Sequence, residues 1–140
     1  MSARTLVLEV VTPDGIALAE RDVDAVVLRR RERRFELGSE LAILPLHAPV
    51  LIRMPIAPVR YRKGGETTYL ALAGGFAEVR GDRVLLLTPR CERIPGDTPS
   101  PAAAARELCR AWSRHPHDFA AEMVGAAPDR DRGDVPGGAP

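Results

Sequence analysis

A single histidine sits inside an apolar run, AILPLHAPVL, Ala42 to Leu51, between Pro45 and Pro49. Proline fixes φ and has no amide hydrogen, so this stretch suits neither a helix interior nor a central strand. An ionisable ring on a stiff apolar turn could be a catalyst, a metal ligand, a packed core group or a docking contact. Catalysis needs a nucleophile for the ring to serve, or a carboxylate to orient it. The chain has no GxSxG, and no cysteine adjoins His47. An enzyme built on His47, Glu40 and Cys91 therefore lacks the logic of an activated nucleophile. The other histidines, His115 and His117, flank Pro116 far along the chain, and a three-His metal site would need an unusual fold-back. His47 packed in a loop is the plainest reading of the residue alone.

Three other features invite chemistry. Gly74-Gly75 in LALAGGFAEV looks like a phosphate loop, but such a loop lies between a strand and a helix and is followed by Lys and Ser/Thr. Here a strand stands on each side, so the pair marks a bulge or a close approach of another backbone. The run Arg29-Arg30-Arg31-Glu32-Arg33-Arg34 has only Phe35 beside it and no recognition helix, which argues against nucleic acid. It reads as a solvated hairpin tip, the alternative being a contact of Arg30, Arg31, Arg33 and Arg34 with a partner or with lipid headgroups. Cys91 and Cys109 have no CxxC spacing and are expected to remain thiols in a reducing compartment.

The elements that must position these residues are mostly strands. TLVLEVVT ends at Pro13-Asp14-Gly15, a turn signal. DVDAVVLR, ELAIL, PVLIRM, VRYRK, ETTYLALA, FAEVR and RVLLLT follow, with hairpin turns expected at Gly64-Gly65 and Gly81-Asp82. Short, evenly spaced strands argue for a sandwich or barrel. After Cys91 the character changes. RIPGDTPSP reads as a linker, Ser100 as an N-cap with Pro101 opening a helix, and AAAARELCRAWSR as that helix, with Leu108 and Trp112, joined by Cys109, as its apolar stripe. HDFAAEMV could add a turn or two, and GAAPDRDRGDVPGGAP has the composition of a disordered tail. The expected organisation is a β-sandwich over 1–94, a linker and short helical segment over 95–124, and a tail over 125–140. The chain has 140 residues and a formal net charge of +1. It is long enough for a core and has no global bias towards nucleic acid or acidic lipid. The opening apolar run is too short for a signal or a membrane span, so a chain soluble by itself is expected.

LVLEVVTPDG, SELAILPLHAPVL, VRYRKGGETTYLALAGGFAEV and RVLLLTPRCER, in this order, resemble the epsilon subunit of F-type ATP synthases over about residues 4–94. The resemblance implies a mainly β fold, a flattened β-sandwich of about ten strands followed by a short helical segment. It implies a non-catalytic rotor piece of the central stalk that links the gamma subunit to the membrane c-ring, with no cofactor. Membrane association would come only through the complex, at the cytoplasmic face of a bacterial cell membrane. Carried onto this chain, the contact residues are Glu40, Leu46, His47, Ala48 and Pro49. Phe76 would face either the core or gamma. The C-terminal helix would be the element to reach the beta subunit.

The chain departs from the family pattern in places. Ser39, Ala42 and Leu46 stand where glycines are usual, and Ile56-Ala57 replaces Pro-Gly. Leu and Ala tolerate positive φ poorly, so the motif loop is expected either to bend differently or never to need the left-handed region. The arginine run fills a hairpin longer than usual, expected at the same end of the domain as the motif. The second helix of the family's regulatory hairpin is missing, and Arg106, the only candidate for a nucleotide-contacting arginine, lies outside a matching motif. A reduced regulatory region with no useful ATP binding is expected. The alternative is a stand-alone β-sandwich binding module that has lost the rotor role.

Overall fold

The computed structural model describes residues 4–31 and 38–115. Arg33, Arg34, His117, the HDFAAEMV segment and the tail lie outside the described residues. The elements are β1 (Leu6–Thr12), β2 (Gly15–Val23), β3 (Ala25–Arg29), β4 (Glu40–Ile43), β5 (Val50–Lys63), β6 (Glu66–Arg80), β7 (Arg83–Leu87), β8 (Cys91–Arg93) and α1 (Pro101–Ser113). On β1 the two-residue period buries Leu6, Leu8 and Val10 and leaves their neighbours towards solvent. Two strands escape the sequence reading. β2 pairs only with β1 and buries little beyond Leu18 and Val23. As an exposed edge it carries charge and alanine where a central strand would carry a run of β-branched residues. β8 has three residues and pairs with β6.

β5 and β6 form one long hairpin. The residue pattern divides each strand in two, at Pro55 and at Gly74-Gly75, yet the pairing keeps one register from Val50↔Val79 to Lys63↔Glu66. What changes at those points is the facing. Ile52 and Met54 point into the core before Pro55, and Val59 and Tyr61 after it; Leu70 and Leu72 precede the glycines, and Ala77 and Val79 follow them. The inward residues switch parity on both strands at the same place, so each strand serves two layers. One layer runs β2, β1, β7, the second half of β6 and the first half of β5. The other runs β4, β3, the second half of β5, the first half of β6 and β8. Eight strands thus supply ten segments, matching the sandwich of about ten strands that the resemblance implies.

The bend depends on Gly75. Its φ is +114, and a Cβ there would overlap the Leu87 carbonyl oxygen. Gly74-Gly75 is therefore a close backbone approach at the fold of the hairpin. At the other tip Gly64 and Gly65 both have positive φ, the pattern of a primed hairpin turn.

α1 opens at Pro101 after Ser100, whose side chain makes no capping hydrogen bond. Ala105, Cys109 and Trp112 are its buried residues, with Leu108 partly buried. They cover Ala71, Ala73 and Ile56 on the outer face of the second layer. The stripe is thus rotated from the expected one, because small residues on both sides let helix and sheet approach closely. The Arg90 guanidinium lies 5.3 Å from the Trp112 ring centroid, a cation–π contact that pins the last turn. Cys91 stands opposite Leu72 and packs on the inner core, while Cys109 meets the Leu72 backbone from the helix side. The sheet lies between the two, and both are free thiols. Burial pushes each thiol up to about 11.

Candidate functional site

Residues 44–49 carry the chain from β4, at the edge of one layer, to the first half of β5, at the edge of the other. The His47 amide donates to the Leu44 carbonyl at 3.1 Å, closing a four-residue turn. Pro45 takes the second position. Leu46 takes the third, with φ +69. This is the geometry of a type II turn, whose third position is normally glycine. The two expectations about the lost glycines are therefore corrected at Leu46: the left-handed bend is needed, and a leucine adopts it. At Ser39, Ala42, Ile56 and Ala57 φ is not positive, so at those positions no glycine is required.

The bend has a partner outside the loop. The Leu46 amide donates to Asp82 Oδ1 at 3.1 Å. Asp82 sits in the β6–β7 turn after Gly81, its backbone carbonyl accepts from the Val7 amide at 2.8 Å, and its Oδ2 lies 3.6 Å from Arg4 Nε. Around this anchor Leu44 and Leu46 are 54% and 70% exposed. Ala48 and Pro49 are exposed and His47 is half-buried. His47 Nδ1 lies 2.7 Å from the Ala48 carbonyl oxygen. A carbonyl only accepts, so Nδ1 carries a proton and donates it to Ala48.

Glu40 is at the other end of β4. Arg60 donates to its two carboxylate oxygens at 2.9 and 3.5 Å. This bond holds the Glu40 carboxyl below its ordinary 4.5. The arginine run leaves β3 at Arg29 and the chain re-enters β4 opposite it at Glu40, whereas the motif loop departs after Ile43, opposite Val26. An antiparallel hairpin puts successive connections at opposite ends. Arg29 to Arg31 thus lie beside Glu40 and away from His47, so the described residues of the run do not share the end expected for them. Among its described residues, the Arg30 amide donates to Ser39 O at 3.0 Å and the Arg31 amide to Arg53 O at 2.7 Å, while Arg29 Nη1 donates to Gly38 O at 3.1 Å.

Phe76 does not enter the core. It is 41% exposed on the outer face of the first layer. Cross-strand pairing sets Leu87, Val11 and Ile16 beside it in one row across four strands. The named residues thus occupy three places: the loop, the Glu40 end of β4, and this row. Sequence reasoning missed Asp82, Leu44 and three members of the row. The alternation on β1 and β7 held the signal for Val11 and Leu87, which are apolar at positions out of phase with the core. Asp82 gave no signal, because its partner is 36 residues away. Arg106 is exposed on α1. Among the described residues, no three His, Cys, Asp or Glu side chains gather as a metal site, and no helix is long and apolar enough to cross a membrane.

Residues 5–94 match the family model described as the ATP synthase, Delta/Epsilon chain, beta-sandwich domain. The chain belongs to that family. It is 38% identical over 104 residues to the ATP synthase epsilon chain of Anoxybacillus flavithermus, an alignment covering 74% of this chain and 72% of the relative. Within the family it is an epsilon-type chain, a non-catalytic subunit of the rotary stalk. Solved structures share the fold. A chain in the Euglena gracilis mitochondrial ATP synthase superposes with a TM-score of 0.58 at 22% identity, covering 89% of this chain and 74% of that one. One from the Tetrahymena thermophila central stalk and c-ring gives 0.53 at 11% identity, covering 91% and 100%.

Proposed function

We propose that this chain bridges the gamma subunit to the c-ring at the cytoplasmic face of a bacterial membrane, with residues 44–49 as the ring-facing contact. The observation that carries this reading is the loop itself. A proline-stiffened turn with an anchored bend presents two exposed leucines beside a half-buried histidine, and such a surface loses little entropy on docking. Structures of the same fold come from assemblies described as containing the c-ring and the central stalk, which supports the direction. The row around Phe76 is the apolar face on offer to gamma, and an aromatic beside aliphatic neighbours suits an interface core. Glu40 contributes at the rim, its charge shared with Arg60. The exposed side of α1, with Arg106 and Arg110, is what remains for the beta subunit.

The stand-alone module rests on the lost glycines and on the eroded tail. Leu46 keeps the bend that a glycine would have made, so the first of these grounds falls away. The test is reconstitution of the complex with Leu46→Asp or His47→Ala in the full chain. Leu46→Asp is expected to lower ATP-driven ion pumping severalfold while ATP hydrolysis continues, and His47→Ala to lower it less. Unchanged pumping with both variants would sink the loop as the ring contact.

A further inference from the structure

Leu46 combines two features that ordinarily exclude each other. It stands in the left-handed region, which leucine resists, and its side chain is largely exposed, so no core packing holds it there. The turn's own hydrogen bond, His47 to Leu44, fixes the ends of the turn and leaves the peptide between Pro45 and Leu46 to rotate. A type I arrangement would place that peptide differently and suit leucine better. The bond from the Leu46 amide to Asp82 Oδ1 is made by this peptide. It selects one orientation over the other.

Asp82 is well placed to impose that choice. It follows Gly81, whose φ of +60 sets the β6–β7 turn. Its main chain is tied to β1 through Val7 and its second carboxylate oxygen faces Arg4. The anchor therefore belongs to the layer that contains β7, while the loop enters from β4 in the other layer. We propose that Asp82 is a positioning residue for the docking loop: its carboxylate holds Leu46 in the left-handed turn and so presets the leucine and histidine surface for the c-ring. This rests on the reading of residues 44–49 as the ring contact. It assigns Asp82 no contact with the ring.

The test uses the full-length chain and the detergent-solubilised assembly of gamma and c-ring from the same organism. Four variants are compared: Asp82→Ser, which suits the turn but is too short to reach the amide; Asp82→Asn, which keeps the acceptor; Leu46→Gly, which accepts the bend unaided; and D82S/L46G. Leu46→Asp reports on the loop itself. Asp82→Ser is expected to weaken binding about tenfold and to speed hydrogen exchange at the Leu46 amide. Asp82→Asn is expected to restore both. In the Leu46→Gly background the same Asp82→Ser change is expected to cost less than about twofold. Should Asp82→Ser fail to fold, Asp82→Ala replaces it in both backgrounds. Equal loss in the two backgrounds overturns the proposal, since Asp82 would then act through another contact. Unchanged binding with Asp82→Ser, while Leu46→Asp abolishes binding, overturns it and leaves the docking loop standing. Unchanged binding with Leu46→Asp removes the docking loop and the proposal with it.

Discussion

At the scale of the residue, Leu46 is the informative position. A left-handed leucine costs about 1–2 kcal/mol relative to an unstrained one. Glycine removes that strain but loses about 0.5–1 kcal/mol through its freer unfolded chain. Leu46→Gly is therefore expected to stabilise the protein by about 0.5–1 kcal/mol in urea unfolding, and a loss of stability would show that the bend carries no strain. Glu40 gives a pH-dependent counterpart. Its bond to Arg60 holds the folded pKa below the ordinary 4.5. The sign follows: the stabilisation is full above the unfolded pKa and disappears as the pH falls through the lower folded value. Both partners are more than a third exposed, so solvent screens the pair and the effect is a few tenths of a kcal/mol. Glu40→Gln should be slightly less stable than the parent at pH 7, with the difference closing as the pH falls through the lowered folded pKa and shrinking in high salt.

At the scale of the element, the β5–β6 hairpin decides the architecture. Its two strands change facing together, at Pro55 and Gly74-Gly75, and so close two layers over one core. Gly75 is the tightest point, because a side chain there meets the Leu87 carbonyl. Gly75→Ala combines positive φ with a backbone clash and should destabilise the domain by about 3 kcal/mol or more. A melting temperature within a degree or two of the parent would show that the bend can relax. The residue pattern revealed this hairpin in part. The close approach at Gly74-Gly75 is legible from glycine chemistry. The gap between PVLIRM and VRYRK reads only as a strand end, since a pattern of types does not record whether pairing continues through a change of face.

At the scale of the whole molecule, α1 is fastened to the sandwich. Trp112 is buried between the sheet and the Arg90 guanidinium, and Ala105 and Cys109 complete the contact. Trp112→Ala should cost about 3–5 kcal/mol if helix and sandwich unfold as one unit. The expected observation is a single, lower transition by circular dichroism. Two separate transitions, with the sandwich unmoved, would mark the helix as an independent appendage.

The sequence by itself determined the residue types that recur locally: strands with a period of two, turns at Gly64-Gly65 and Gly81-Asp82, a helix opening at Pro101, and a motif loop stiffened by two prolines. These depend on each residue and its near neighbours. The family resemblance was likewise legible, in the order of its motifs. Tertiary structure alone decided three things. It set Arg29 to Arg31 at the opposite end of β4 from His47, because antiparallel pairing separates successive connections. It aligned Phe76, Leu87, Val11 and Ile16 in one row, because register across four strands is a long-range property. It kept the glycine-like bend at Leu46, because a carboxylate 36 residues away holds a conformation that local sterics oppose.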